Sequence, residues 1–353
     1  MNIDRRHFIR NSLIGGVGLS LIRPANIFAS QPAISPLSPS DALAKVTLSY
    51  GDNRADLAFR ALKPLSEQIK RDIGSRRVIL KPNNVIIHNQ LAATHVDTLE
   101  GVLEFLKSIG ITRNILIAES AASGPTLDGY ENYGYMKLTA KYPGVQLIDL
   151  DSQPYEKRYV ADEKDFKPHA VRLSSLLLDK NNYIVSVARM KTHDRVIATL
   201  SLKNIVFGAP IKDLGSGWGP GVTRKPGAIN DKPIAHGSGF KAINYNLFAL
   251  SQILHPHLAI VDGFEGMEGN GPNDGDPVDH RICLAGLDWL ATDRVGVELM
   301  GIDYSKVAYL NYCGQAGYGV DDLTKIEIVG EPLAKHKKTY KLNPNIDKQI
   351  ITS

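Results

Sequence analysis

The sequence predicts an α/β fold with a mostly parallel central sheet flanked by helices, and long Gly/Pro-rich loops at the carboxyl edge of the strands. Three observations predict it. Short apolar runs alternate with segments whose apolar residues recur every three or four positions. Several of the apolar runs end directly in polar or charged residues. The chain has 353 residues, 43% of them hydrophobic, which is enough to bury a deep core.

Each predicted strand is an apolar run, and each predicted helix repeats apolar residues along one face. In the first helix, for example, Leu57, Ala61 and Leu65 recur at four-residue intervals. The predicted strands lie, in order, at 45–50, 77–80, 114–118, 145–150, 183–188, 257–261, 281–285 and 325–329. The predicted helices lie at 54–72, 96–108, 240–253 and 289–300.

The segments between these elements differ in character. The polar stretch at 151–168 predicts a hairpin or an inserted excursion. Residues 208–240 and 263–277 are rich in glycine and show no helical or strand period, so both are predicted to be loops. Loops of this length within a compact domain are usually functional.

The amino-terminal segment has the order of a twin-arginine signal peptide. Arg5 and Arg6 precede a soft apolar run at 13–22, after which Ala25 and Ala29 offer small-residue cleavage sites. We expect cleavage after Ala29, with Ala25 as the alternative. The run is well short of the roughly 20 residues that cross a bilayer. We therefore expect a bacterial periplasmic protein that meets the twin-arginine translocase during export and keeps no permanent membrane anchor. The expected divisions are a signal peptide at 1–29, an exposed lead-in at 30–44, one α/β domain or two intertwined lobes at 45–335, and a tail at 336–353.

Charge and cysteine content exclude some classes of protein. The formal net charge is +4, and residues 1–29 supply four arginines against one aspartate, which leaves +1 on the rest of the chain. That charge does not predict a nucleic-acid partner. Cys283 and Cys313 are too few for an iron–sulfur cluster held by four thiolates, so no such cluster is expected. Both lie in apolar segments, which favours burial over a disulfide.

Charged side chains collect at or just beyond the carboxyl ends of predicted strands, where open α/β sheets bind ligands. These residues are Lys81, Glu119, Lys191, Lys203 and Asp262. The densest group comes from Lys191-Thr192-His193 and Ser201-Leu202-Lys203-Asn204. Two lysines, a histidine and an amide could hold a phosphate or carboxylate, or one lysine could have a depressed pKa and act as base or nucleophile.

The glycine- and acid-rich segment from Asp262 to Pro272 is a second candidate. Its acids do not occupy the positions of a calcium loop. A divalent metal held by His236, Asp262 and Glu268 stays open, because histidine with carboxylates suits several such metals. Asp288 and Asp293 stand at the start of a predicted helix, where a role as a cap or as a partner of the helix dipole is expected.

We assign candidate roles to the residues of both groups. The candidate catalytic residues are Lys191, His193, Lys203, Asp262 and Glu268. The candidate ligand-binding residues are Lys81, Asn83, Glu119, Asn204, His236 and Asn270. An enzyme that binds a small anionic ligand is favoured, since these groups supply acid/base chemistry. A ligand-binding protein without catalysis and a maturation or interaction partner of an exported redox complex are the alternatives.

Several of these motifs together resemble the bacterial and archaeal family called domain of unknown function 362. The resemblance spans roughly residues 45–330. It implies an α/β domain, in some members joined to a ferredoxin module for which this chain lacks the cysteines, and it implies no particular reaction. The motifs are Lys81-Pro82-Asn83, Arg189 to His193, Ser201 to Asn204 with Gly208 and Pro210, His236, Val261-Asp262-Gly263, Glu268 to Pro272, and Asp288 with Ala291 and Asp293.

Overall fold

The computed structural model describes residues 43–217 and 224–350, and all of these belong to one compact unit. The expected signal peptide at 1–29 and the expected lead-in up to residue 42 lie outside the described residues. Within the described ranges, no helix is both long and apolar enough to cross a membrane.

The described strands and helices alternate through most of the chain. The strands are β1 (Ala44–Tyr50), β2 (Arg77–Pro82), β3 (Ile115–Glu119), β4 (Val145–Asp149), β5 (Tyr155–Ala161), β6 (Pro168–Ser174), β7 (Asn182–His193), β8 (Ile197–Thr199), β9 (Leu258–Glu268), β10 (Asp276–Gly286) and β11 (Ile326–Gly330). The helices are α1 (Arg54–Leu62), α2 (Ser66–Ile73), α3 (Val96–Ser108), α4 (Thr126–Asn132), α5 (Met136–Lys141), α6 (Ser175–Leu178), α7 (Ser201–Val206), α8 (Asp231–Ala235), α9 (Phe240–Ser251), α10 (Trp289–Leu299), α11 (Ala308–Gln315) and α12 (Ile346–Gln349).

Nine strands form one mostly parallel sheet, which confirms the predicted fold class. Their order is β11-β1-β10-β9-β7-β2-β3-β4, and the short β8 pairs with β7. The five strands from β9 to β4 run parallel, whereas β10 runs antiparallel to both of its neighbours. Strands β5 and β6 form a separate antiparallel hairpin, one of the two structures predicted for the polar stretch at 151–168.

Helices cover both faces of the sheet, and the two-residue period of the strands divides the core accordingly. In β2, Ile79 faces one apolar layer, while Val78 and Leu80 face the other. The layer that contains Ile79 is built by α7, α9, α10 and α11. The layer that contains Leu80 is built mainly by α1, α2 and α3. Cys283 and Cys313 are free, buried thiols, one in each layer, so their predicted burial is confirmed.

Strand β7 is longer than the predicted strand at 183–188. It continues to His193 because β8 folds back and pairs with its last three residues. Lys191 and His193, which were expected just beyond the predicted strand, are therefore buried residues of the strand itself.

The predicted loop at 263–277 was also wrong over much of its length, because β9 runs through Glu268 and β10 begins at Asp276. Its glycines serve close packing. A Cβ atom at Gly266 would lie 2.1 Å from the hydroxyl oxygen of Tyr340, which packs onto the strand from the predicted tail. The predicted loop at 208–240 contains the short helix α8.

The chain leaves the two central strands toward opposite sides of the sheet. After β2 it passes through α3 to β3 on one side, and after β7 it passes through α7 and α9 to β9 on the other. Such a switch in direction opens a crevice at the carboxyl ends of the strands, where ligands of open α/β proteins bind.

Candidate functional site

A cavity of about 490 Å³ lies at this switch point, in the size range of small-molecule sites. Most of the charged side chains that line it are cationic, and we call it the lysine cavity. Its charged and imidazole groups are Lys81, Lys164, Arg195, Lys203, Lys232, Glu119, Asp194, His193 and His236. Seven residues predicted from the sequence meet here: Lys81, Asn83, Glu119, His193, Lys203, Asn204 and His236.

Lys81 forms the floor of the site near the end of β2, and its amine donates three hydrogen bonds. It donates to Glu119 at 2.8 Å, to the Asn204 side-chain oxygen at 3.1 Å and to the carbonyl of Pro82 at 2.9 Å. Burial lowers the pKa of Lys81, and Glu119 offsets part of that effect. The fit requires glycine at position 208, where a Cβ atom would lie 1.9 Å from Cε of Lys81.

Asn204 fastens helix α7 to strand β2. Its amide nitrogen donates to the carbonyl oxygen of Lys81 at 3.0 Å, so its side-chain oxygen must face the Lys81 amine and the amide of Asn83. Lys203 and Asn204 are neighbours in one short helix. The hydrogen bonds of Asn204 therefore fix the position of that helix, and with it the position of Lys203.

Asp293 holds the start of α7. Its two carboxylate oxygens accept the backbone N–H groups of Ser201 at 2.8 Å and Leu202 at 3.0 Å. Burial raises the pKa of Asp293 to about 6. Asp288 caps its own helix, α10, as expected, since it accepts the N–H of Ala291 at 2.9 Å. The expectation that Asp293 also caps that helix was wrong, because the carboxylate reaches across to α7, whose N–H groups need an acceptor.

Lys203 lines the cavity with an amine that hydrogen-bonds to no other described residue. The residue is 7% exposed, and Nζ lies 5.2 Å above the ring of Phe207. Burial lowers its pKa to about 7; Lys81 and Lys232 lower it further, and Asp194 opposes them. A large fraction of this amine is therefore uncharged near neutral pH.

Two uncharged imidazoles stand near Lys203. His236 donates from Nδ1 to the carbonyl of Lys232 at 2.6 Å, because that oxygen can only accept, and its ring stacks on Phe207 at 4.6 Å. Burial, reinforced by Lys203, lowers the pKa of His236 to about 3. The same two causes hold the pKa of His193 well below its usual range. Its Nδ1 accepts the backbone N–H of Arg195 at 3.0 Å, which leaves Nε2 as the protonated nitrogen.

Two further buried lysines bond only to carbonyl oxygens among the described residues. Lys232 donates to the carbonyl of Pro210 at 2.8 Å, and burial lowers its pKa to about 8. Lys191 does not line the cavity; it donates to the carbonyl of Ala92 at 2.7 Å. Burial, with Lys203 and Arg189 as neighbours, holds the pKa of Lys191 well below its usual range.

Besides Lys191, three predicted site residues lie outside the cavity. Asp262 lies on the α1/α3 side of the sheet, where it accepts from Thr98 at 2.7 Å and pairs with Arg189 at 3.4 Å. Burial raises the pKa of Asp262, but Arg189 and Arg54 outweigh this effect and leave it below the ordinary value. Glu268 accepts the N–H of Lys341 at 2.8 Å, and Asn270 is exposed and lines no part of the cavity.

The metal candidates are therefore not brought together. His236 lies in the lysine cavity, whereas Asp262 and Glu268 have the partners just described. Within residues 43–217 and 224–350, no three His, Cys, Asp or Glu side chains form a group that could hold a metal ion.

Sequence reasoning missed Lys232 and Arg195 as cavity residues. Lys232 lies in the segment predicted to be a structureless loop, and its position before Pro233 at the start of α8 was the available signal. Arg195 follows the Lys191-Thr192-His193 motif by two residues, in the turn between β7 and β8. No local sequence pattern indicated that this turn would line the cavity.

Comparisons with known proteins place the chain in a family. Residues 78–298 match the family described as Domain of unknown function (DUF362). Over 230 residues the chain is 24% identical to a thylakoid-associated protein of Synechocystis sp., and the alignment covers 64% of each protein, so the chain spans less than two thirds of that relative. A solved protein structure from Thermotoga maritima aligns with 66% of this chain and 56% of that one, at 11% identity and a TM-score of 0.35. Because the family match takes in more than half of the chain, this protein belongs to the DUF362 family.

Proposed function

We propose that this protein is an enzyme that binds a small anionic molecule in the lysine cavity and acts on it by acid/base or nucleophilic chemistry. We further propose that it works in the bacterial periplasm, after export through the twin-arginine pathway and cleavage after Ala29. The substrate is bound at the carboxyl ends of β2, β3 and β7.

The observation that carries this proposal is a set of buried lysines that lack carboxylate partners. Among the described residues, five lysines are buried: Lys81, Lys191, Lys203, Lys212 and Lys232. Carboxylates pair with only two of them, since Glu119 pairs with Lys81 and Asp151 with Lys212. Lysine is almost never buried without a partner, because the desolvation of an ammonium group is costly. An anionic ligand would supply the missing negative charge.

The groups beside Lys203 supply the chemistry. An amine with a pKa of about 7 can accept or donate a proton at neutral pH, which is the condition for efficient general acid/base catalysis. His193 offers a protonated Nε2 as a hydrogen-bond donor, and His236 offers an unprotonated Nε2 as an acceptor. Lys232 and Arg195 remain to orient the anion.

The cavity residues do not fit a divalent metal held by protein side chains alone. The Glu119 carboxylate already accepts from Lys81 and from two backbone N–H groups. The surrounding lysines would also repel a cation. We therefore propose no metal step, and we assign Asp262 and Glu268 to structural contacts rather than to catalysis.

Two features support export. The order of charged, apolar and small residues up to Ala29 is that of a signal peptide. The relative from Synechocystis sp. is thylakoid-associated, which is compatible with a protein that leaves the cytoplasm.

The first test is elemental analysis with native and denaturing mass spectrometry of protein isolated from the periplasm. We expect a mature chain that begins at Ser30 and a small anion that dissociates on denaturation. A chain that keeps residues 1–29 would contradict the export proposal. A stoichiometric metal would contradict the metal-free site.

Ligand capture without turnover is the alternative, because the same positive charge would hold an anion equally well. Once the anion is identified, incubation with a stoichiometric excess separates the two functions. An enzyme converts the excess, whereas a binding protein returns it unchanged.

A further inference from the structure

We propose that Lys203 is a nucleophile that forms an imine with the carbonyl carbon of a small anionic carbonyl compound, of the 2-oxo acid class. This inference rests on the proposed function, since it names the ligand class and the reactive atom of the same cavity.

The hydrogen-bond pattern singles out Lys203 among the buried lysines. Lys81 donates to three acceptors, and Lys212 pairs with Asp151. Lys191 and Lys232 are held by backbone carbonyl oxygens. A nucleophile must present a free lone pair to the substrate. Among the described residues, the amines of Lys203 and Lys164 line the cavity without a hydrogen bond, and of these two residues Lys203 is buried and Lys164 is exposed.

The surroundings of Lys203 keep this amine reactive. Burial and the neighbouring lysines lower its pKa to about 7, as in lysines that are activated by desolvation and a second cation. No carboxylate among the described residues forms an ion pair with it, and Asp194, which favours the charged form, does not outweigh the effect of burial. The carboxylate of a 2-oxo acid, adjacent to its carbonyl carbon, would then bring the compensating charge to Lys232 and Arg195.

The reaction balances without an added oxidant or reductant. The Nζ lone pair bonds to the carbonyl carbon, and the carbonyl π electrons move to oxygen, which takes one amine proton and gives a carbinolamine. The nitrogen lone pair then forms the C=N bond as the C–O bond breaks, and the oxygen leaves as water with the second amine proton. The sum is an amine and a ketone converted to an imine and water.

The test is reductive trapping on the full mature chain. The protein is incubated at neutral pH with sodium cyanoborohydride together with one carbonyl compound, and pyruvate, glyoxylate and 2-oxoglutarate are each used in a separate reaction. The modified residue is found by intact mass and peptide mapping. We expect one adduct per chain on Lys203 with at least one of these probes. Its yield should exceed that on Lys137, an exposed lysine of α5, by roughly tenfold or more, because an ordinary lysine is almost fully protonated at neutral pH.

Two variants serve as controls. Lys203→Arg should remove the adduct while circular dichroism shows a folded protein, and Lys137→Arg should leave the adduct unchanged. If Lys203→Arg does not fold, the peptide map of the wild-type chain still decides the question. No adduct with any of the three probes, equal labelling of Lys137, or an adduct on a different cavity lysine would overturn the proposal.

A separate measurement distinguishes failure of this inference from failure of the proposed function. Oxamate has the shape and charge of pyruvate, but its amide carbonyl does not form imines. Binding of oxamate or inorganic phosphate, measured by calorimetry, without any trapped adduct would overturn the imine and leave the anion site standing. Absence of both binding and adduct would overturn the two proposals together.

Discussion

The ion pair at the floor of the lysine cavity gives the sharpest test of the charge balance described above. Replacement Glu119→Gln keeps the size of the side chain and removes its charge. Glu119 is 2% exposed and accepts from Lys81 at 2.8 Å, from the N–H of Asn84 at 2.9 Å and from the N–H of Ser120 at 2.8 Å. In the variant, the buried ammonium of Lys81 loses its only carboxylate partner among the described residues.

Removal of one partner from a buried ion pair costs about 3–5 kcal/mol, because the other charge stays buried without compensation. Here the pKa of Lys81 is already lowered by burial, and loss of Glu119 lowers it further. Between the lowered pKa of Lys81 in the folded variant and its pKa of about 10.4 in the unfolded chain, the unfolded state binds more protons than the folded state. The free energy of unfolding therefore rises with pH in this window. The loss caused by Glu119→Gln should therefore be larger at pH 7 than at pH 9.

Urea unfolding at these two pH values measures the free energy of unfolding. Glu131→Gln, at an exposed position on α4, is the matched control and should change little. The double variant Lys81→Met with Glu119→Gln should recover part of the loss, because no uncompensated charge remains. If Glu119→Gln were as stable as Glu131→Gln at both pH values, the ion pair would not hold the floor of the site.

Three further predictions address the same site. Because the pKa of Lys203 is about 7, this group should raise the free energy of unfolding by about 1.4 kcal/mol per pH unit between about pH 7 and 10. In urea unfolding, the free energy of unfolding of Lys203→Met should therefore rise less from about pH 7 to about pH 9 than that of the wild type, and equal rises would contradict the lowered pKa. Gly208→Ala should lower the free energy of unfolding by about 1–3 kcal/mol and weaken phosphate binding in calorimetry, since the new Cβ would displace Lys81; unchanged binding would be inconsistent with this packing. Asp293→Ala and Asp288→Ala should each lower the free energy of unfolding in urea by about 1–2 kcal/mol through loss of a helix cap. Only Asp293→Ala should slow the trapping of Lys203, and equal trapping rates in the two variants would refute the role of Asp293 in positioning α7.

Local sequence patterns correctly predicted those features that depend on a single helix or strand and its own side chains. Helix α3 has the bounds that its periodicity predicts, and Lys81 and Glu119 lie at the ends of the strands that their apolar runs define. These two residues meet because parallel strands place their carboxyl ends at one edge of the sheet.

Asp262 follows a predicted strand but does not reach the cavity, because its side chain lies on the other face of the sheet. In β9, Ile260 belongs to the α1/α3 layer, and Asp262, two residues later, points to the same side. Lys81 follows Ile79 by two residues and so points to the opposite side, toward α7. The alternation was present in the sequence, but which layer each strand faces depends on the pairing of distant strands.

The sequence by itself determined the fold class, the strand-end positions of several charged residues and the close pairing of Lys203 with Asn204, because these follow from short-range periodicity and chain order. Tertiary structure alone decided that Lys203 has an unbonded amine of lowered pKa and that Asp293 caps α7. It also decided that Lys232 joins the cavity. Burial, desolvation and capping depend on which distant segments exclude water from a group or reach it with an acceptor, and a linear pattern does not contain those contacts.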